Sequence, residues 1–342
     1  MTVSRVINGG KNVRESTRVA VLDAVKRLNY SPNAAARNLA AGEATHIGLL
    51  YANPSTAYLS QFLIGALEAA RRAGCHLVIE SCESEDADEQ AEVTRRFVAG
   101  EVEGVVLPPP LSESEPIMAE LGALGIPVVT VATGLPHVGW PNVRIDDAEA
   151  AAEMTRHLLD LGHRNIGFIK GHPNHTASHD RARGFQAALA EFGLDPAGAP
   201  IEQGYFTYRS GLAATERLLA RPNPPSAIFA SNDDMAAAAI SVAHRRGLVV
   251  PGDLSVVGFD DTSLATSVWP ELTTVRQPIS AMAEAALEML LTDLRARRSG
   301  TRGVAAERVL NHALITREST APPGARWAKR SRVPTEPARQ SA

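Results

Sequence analysis

The feature that most constrains this chain is a supersecondary pattern written twice. From Thr45 onward, short apolar runs alternate with amphipathic stretches. The first set is Ile47–Tyr51, a helix near Tyr58–Ala73, His76–Glu80, a helix near Ala87–Ala99, Gly104–Leu107, a helix near Glu113–Leu124, and Pro127–Val131. The second repeats the order with Ile166–Ile169, a helix near Ser178–Phe192, Ile201–Phe206, a helix near Tyr208–Ala220, Ala227–Ala230, a helix near Asp234–Arg246, and Leu254–Phe259. Continuous apolar strands separated by helices imply parallel strands buried on both faces and joined by right-handed crossovers. The expected class is α/β, with two doubly wound parallel-sheet lobes. Their openings match as well, Thr45-His46-Ile47-Gly48 in one and Arg164-Asn165-Ile166-Gly167 in the other.

Two such lobes leave a cleft between the carboxyl ends of their strands, where open parallel sheets bind ligands. Past Pro278 a helix over Ala281–Arg297 and a strand over Val304–Thr316 remain to cross back. The expected division is a first lobe of residues 45–144 and 278–303 and a second of 145–277 and 304–318. Residues 319–342, rich in proline, serine and arginine without apolar periodicity, read as a disordered tail.

With 342 residues the chain exceeds what one core usually supports, and 44% apolar composition suffices for two or three units. The net charge of −4 argues against nucleic-acid or membrane binding over the whole surface. No apolar run long enough for a membrane span occurs, and Met1–Arg5 lacks a secretory stretch, so a soluble cytoplasmic protein is expected. Cys75 and Cys82 match no zinc spacing and read as buried free thiols, which excludes a disulfide scaffold.

Charge is uneven, however. Residues 1–42 carry seven basic side chains against Glu15 and Asp23, a net of +5, as expected of a small domain that meets phosphates. Thr2–Asn8 is helix-like up to Gly9-Gly10, and Val21, Leu22, Val25 and Leu28 place an apolar stripe on a helix over about Glu15–Asn29. After Tyr30-Ser31-Pro32-Asn33, residues Ala34–Ala41 form one more short helix ending at Gly42, too short to hold in water without a partner.

At this point particular strings carry a resemblance. Thr2-Val3-Ser4-Arg5-Val6-Ile7-Asn8, Leu28-Asn29-Tyr30-Ser31-Pro32-Asn33, Ala36-Arg37-Asn38-Leu39, Leu161-Gly162-His163-Arg164-Asn165-Ile166-Gly167, Ser231-Asn232-Asp233-Asp234-Met235-Ala236, and Val257-Gly258-Phe259-Asp260-Asp261 through Leu272-Thr273-Thr274-Val275-Arg276-Gln277-Pro278 resemble the LacI/GalR family of bacterial repressors over about residues 1–318. The resemblance implies a homodimer that binds operator DNA and senses a small molecule between periplasmic-binding-protein-like lobes. Residues 1–32 would be a helix-turn-helix headpiece and 33–44 a hinge helix and linker. DNA contacts would fall to Thr2, Ser4, Arg5, Asn8, Tyr30, Asn33, Ala36 and Leu39, with Arg5 suited to guanine and Leu39 to wedging a base step from the minor groove. In that family a further helix precedes Thr-Val-Ser-Arg and covers the apolar side of Val3, Val6 and Ile7. The expectation is therefore a natural start upstream of Met1, or a ligand sensor impaired in DNA binding.

Effector contacts are expected at Asn53 and Tyr58 after the first strand, Asp146 at the first crossing between lobes, Arg181, Asn232 and Asp260. Of these, Arg181, Asn232 and Asp260 match family positions. Carboxylates and a forked guanidinium suit adjacent sugar hydroxyls, and Tyr58, Phe206 or Trp269 would cover an apolar face, so a carbohydrate is favoured. Asn232 and Asp260 also suit capping or turn roles at strand ends. His172, His175 and His179, followed by Asp180, include an i, i+4 pair that could share a helix face, but the Glu of a His-Glu-x-x-His site is absent and His172 falls in a loop, so one or two of them lining the cleft is favoured over a metal site. Dimer contacts are expected from the helices Tyr58–Ala73 and Ala281–Arg297. No Gly-x-Gly-x-x-Gly, Walker or Gly-x-Ser-x-Gly motif points to an enzyme or a cofactor. A solute-binding protein would need an export signal and no basic headpiece.

Overall fold

A computed structural model describes residues 6, 14–27, 45–134, 139–301 and 306–324. The DNA-contact residues Thr2, Ser4, Arg5, Asn8, Tyr30, Asn33, Ala36 and Leu39, with the hinge helix, lie outside the described residues. Helix α1, Glu15–Arg27, falls within the expected Glu15–Asn29. Its Thr17, Val21 and Ala24 are half-buried at helical spacing, while Val19 and Leu22 are exposed.

The first lobe runs β1 (His46–Tyr51), α2 (Thr56–Ala73), β2 (His76–Ser81), α3 (Ala87–Val98), β3 (Gly104–Leu107), a 3-10 turn (Leu111–Glu113), α4 (Glu115–Ala123), β4 (Val128–Val131) and β5 (Asn142–Arg144). The second runs α5 (Asp147–Asp160), β6 (Ile166–Lys170), α6 (Thr176–Glu191), β7 (Ile201–Gln203), α7 (Tyr208–Leu219), β8 (Ala227–Ala230), α8 (Asp233–Arg245), β9 (Ser255–Asp260), a 3-10 turn (Ser263–Thr266) and β10 (Thr273–Arg276). Helix α9 (Ile279–Arg298) returns against α2, and β11 (Glu307–Val309) and β12 (Ala313–Ile315) follow. The two six-stranded sheets share one order, β2-β1-β3-β4-β5-β11 and β7-β6-β8-β9-β10-β12. All described pairings are parallel except β10 with β12.

Local chemistry explains the element ends. Ser55, Asp86, Ser114, Asp146 and Thr207 each accept a backbone N–H at the start of α2, α3, α4, α5 and α7, satisfying donors that a helix leaves open. β3, β4, β8 and β9 are buried at every position, as central parallel strands covered on both faces must be.

Three expectations need correction. The strand expected over Val304–Thr316 is two strands: β11 joins the first-lobe sheet beside β5, and β12 joins the second beside β10. The segment passes between two sheet edges, each of which offers unpaired ladder groups, so 304–318 does not belong to the second lobe alone. The repeat visible in sequence also passes over β5 and α5. Finally, residues 319–324 are packed rather than disordered. The wholly buried Ser319 accepts from the Thr273 N–H at 2.8 Å and donates to the Val256 carbonyl at 2.6 Å. Backbone groups of Ala321 pair with His163 and Ser255. These are main-chain and hydroxyl contacts, invisible to apolar periodicity. Residues 325–342 lie outside the described ones.

Cys75 and Cys82 are free, and burial pushes both thiols up. Among the described residues no helix is long and apolar enough to cross a membrane.

Candidate functional site

Both sheets reverse their strand order between their second and third strands, β1/β3 in the first lobe and β6/β8 in the second. Loops leaving neighbouring strands at such a point run in opposite directions and open a crevice at the carboxyl edge. Here the two crevices face one another. Asn53 and Ser55 follow β1, Pro109 and Glu113 follow β3, His175 follows β6, Asn232 follows β8, Asp260 ends β9, and Gln277 follows β10; together they line a cleft of about 520 Å³.

Arg181, near the start of α6 and 5% exposed, organises the floor. Its Nε donates to Asp147 Oδ1 at 2.8 Å and its Nη1 to the Ser231 carbonyl at 2.5 Å. Nη1 stands 3.8 Å from Asp260 Oδ1, and the guanidinium lies 3.6 Å from the ring centre of Phe259. Burial pushes the carboxyls of Asp147 and Asp260 above the usual range, outweighing the pull of Arg181. Asp260 holds a φ of 117°, a backbone region that side chains rarely occupy, and Gln277 Nε2 donates to its Oδ1 at 2.7 Å. Such strain persists only where the surroundings impose it, typically at ligand sites. Behind Asp260, the buried Asp233 accepts from Thr262 N–H, Thr262 Oγ1 and Thr274 Oγ1 at 2.8, 3.1 and 2.7 Å, and burial pushes its carboxyl up to about 7.

Two buried polar atoms on the cleft lack any hydrogen-bond partner, Tyr58 Oη and Gln277 Oε1. Burial, with Asp260 next, pushes the Tyr58 phenol up, so it stays a neutral donor. Phe206 covers another side. It stacks on His175 at 5.6 Å and 19°, has a φ of 59°, and packs so tightly on Gly171 that a Cβ there would stand 1.9 Å from the ring. Burial, then His172 and Arg181, pushes His175 down to about 4, which leaves it neutral near pH 7.

The lobes are closed on one another. Ser55 Oγ donates to Asp234 Oδ2 at 2.6 Å, and Gln61 Nε2 to the Asp261 carbonyl at 3.3 Å. Thr176, at the start of α6, accepts from Gly134 N–H at 2.8 Å, donates its hydroxyl to Glu113 Oε1, and gives its backbone N–H to Glu113 Oε2 at 2.9 Å.

Of the residues expected from sequence, Asn53, Tyr58, Arg181, Asn232 and Asp260 line this cleft and Asp146 does not. Asp146 is exposed and accepts from Glu149 N–H at 3.0 Å as a helix cap; its neighbour Asp147 is the carboxylate turned to Arg181. Asn232 caps α8 through Met235 N–H at 3.0 Å and holds the Phe206 carbonyl at 2.9 Å, so its amide is spent on architecture. Asn53 donates to the Pro109 carbonyl and accepts from Ser55 N–H, shaping the rim. Trp269 is 73% exposed and does not line the cleft, whereas Phe206 does. Among the described residues no group of three or more His, Cys, Asp or Glu side chains could hold a metal ion. Glu113, Gln277 and Asp147 escaped the sequence reading. The one available signal was the doublet Asp146-Asp147, in which the first caps the helix and the second faces inward.

Comparison with known proteins agrees with this geometry. Residues 1–33 match the bacterial regulatory proteins of the lacI family, and residues 155–320 match the periplasmic binding protein-like domain. Catabolite control protein A of Priestia megaterium is 35% identical over 84% of this chain and 87% of its own. The structure of the transcriptional regulator CelR in complex with cellobiose is 30% identical, with a TM-score of 0.73 over 93% of this chain and 95% of that one. The lac repressor dimer bound to operator and the anti-inducer ONPF is 26% identical, with a TM-score of 0.73 over 94% of each chain. The chain belongs to the LacI family: it is a DNA-binding transcriptional regulator controlled by a small molecule, not an enzyme.

Proposed function

We propose that this chain represses transcription as a homodimer on operator DNA, and that a neutral sugar held between the lobes sets their closure and so the grip on DNA. The observation that carries the effector reading is the pair of unpartnered buried atoms, Tyr58 Oη and Gln277 Oε1, beside Asp260. A buried polar atom without a partner costs about 1–3 kcal/mol, and ligand hydroxyls, which donate and accept, would satisfy both kinds. Two buried carboxylates against one guanidinium disfavour an anionic effector, because added negative charge would be desolvated beside Asp147 and Asp260. The apolar face of Phe206 suits the ring carbons of a sugar. The similar regulator CelR was solved with cellobiose, which supports the same class.

The effector acts through differential affinity for two lobe arrangements. Closure is transmitted to residues 33–44, where Asn33, Ala36 and Leu39 meet DNA, and to the headpiece contacts Thr2, Ser4, Arg5, Asn8 and Tyr30. Ile64 and Leu67, 55% and 52% exposed on α2, support a dimer face on the first lobe. A thermal-shift screen of sugars, nucleosides and amino acids tests the effector, with gel shifts on operator DNA at near-physiological salt testing the readout. Stabilisation by a sugar that also changes DNA affinity is expected. Stabilisation by purines alone, on the Phe206–His175 stack, would overturn the sugar reading.

A further inference from the structure

An outer groove of about 1390 Å³ opens beyond the cleft and shares Asn53, Pro54, Glu113 and His175 with it, so the two are one continuous channel. A series of rings runs along it. Phe206 stacks on His175, the His175 and His172 centroids lie 4.7 Å apart, and His172 meets the Tyr205 ring edge-on at 5.6 Å and 70°. Phe206 lines the inner cleft only, His172 and Tyr205 the outer groove only, and Tyr205 is 47% exposed there. Hydrophobic faces spaced along a channel are what a chain of linked sugar rings requires.

The same groove is also lined by Glu83 and Glu85, which belong to the first lobe, whereas His172 and Tyr205 belong to the second. None of the described residues lining the groove is Lys or Arg. Carboxylates accept strong hydrogen bonds from hydroxyls and repel phosphate.

From this we infer that the effector is a neutral oligosaccharide of at least two rings, the second seated against Tyr205 and His172 in the outer groove. The inference rests on the sugar reading above and narrows it. A second ring there touches both lobes, so longer effectors favour the closed arrangement more strongly than a single ring does.

The test is titration calorimetry on the full chain with glucose, galactose and xylose, their disaccharides cellobiose, maltose, lactose and xylobiose, and a disaccharide phosphate. At least one disaccharide is expected to bind about tenfold tighter than its component monosaccharides. Tyr205→Ala should cut that advantage to about threefold or less without changing monosaccharide affinity, while Tyr205→Phe should keep it. The unchanged monosaccharide affinity serves as the control for folding, and His172→Ala gives a second, independent variant. Monosaccharides that bind as tightly as their disaccharides, a preference untouched by both alanine variants, or tighter binding of the phosphorylated sugar overturns this inference and leaves the sugar reading standing. Binding of no sugar at all overturns both.

Discussion

Ser55 Oγ donates to Asp234 Oδ2 at 2.6 Å across the cleft while accepting the Tyr58 N–H at 3.3 Å. One side chain thus caps α2 in the first lobe and ties it to the first turn of α8 in the second. Closure of the lobes is built into the same hydroxyl that starts the helix leading to Tyr58.

Asp234→Ala removes the tie and leaves the Ser55 cap intact. Effector binding should weaken about fivefold to thirtyfold, the ~1–2 kcal/mol of a charge-assisted hydrogen bond. Calorimetry with the sugar selected by the screen measures this, and small-angle scattering should report a larger radius of gyration without ligand. Unchanged affinity and radius would show that the tie does not hold the lobes.

Arg181 sits between Asp147 and Asp260, with both carboxylates buried. Arg181→Ala leaves them facing one another without compensation and should cost about 3–5 kcal/mol of stability, read as a lower urea midpoint. Adding Asp147→Asn should recover part of the loss. Arg181→Lys should not restore it, since a point charge cannot reach Asp147 and the Ser231 carbonyl in a fork.

The pH dependence of stability contains two opposing contributions. Asp233 is raised from 3.8 to about 7, so the stability its proton brings is complete below the lower value and lost as pH rises through the upper one. His175 is lowered from 6.5 to about 4, so its contribution is complete above the upper value and lost as pH falls through the lower one. Asp233→Asn, whose amide can still serve Thr262 and Thr274, should therefore gain thermal stability over the parent progressively from about pH 4 to about pH 7. Melting curves of both proteins across that window measure the difference. A difference constant with pH would mean that Asp233 is not held protonated.

Ser319 and Ala321 complete hydrogen bonds of the second sheet. A chain ending at Glu318 should lose about 1–3 kcal/mol for each buried group left unpaired. One ending at Gly324 keeps these contacts and should unfold with the full-length protein in a urea titration. Equal stability of the two truncations would contradict the packing of this segment.

Much of the site was legible because residues that end buried strands announce themselves. Asp260 closes an unbroken apolar run and Asn232 follows another, and both reach the cleft. Sequence could not tell which of them was free to act: Asn232 is committed to a cap and to Phe206, while Asp260 is held in a strained backbone beside Arg181. Nor could it tell the roles within the Asp146-Asp147 doublet apart, because one residue of rotation at a helix start separates a solvent-facing cap from the buried partner of Arg181.

The sequence by itself determined the doubled α/β pattern, the basic headpiece and the location of the cleft, since strand burial and helix capping are local and leave a periodic trace. Only the tertiary structure decided that β11 and β12 go to different sheets, that Thr176 and Glu113 meet, and that Tyr58 and Gln277 keep unpartnered atoms within one cavity. Those relationships join residues far apart in the chain, where what matters is which groups folding removes from water together.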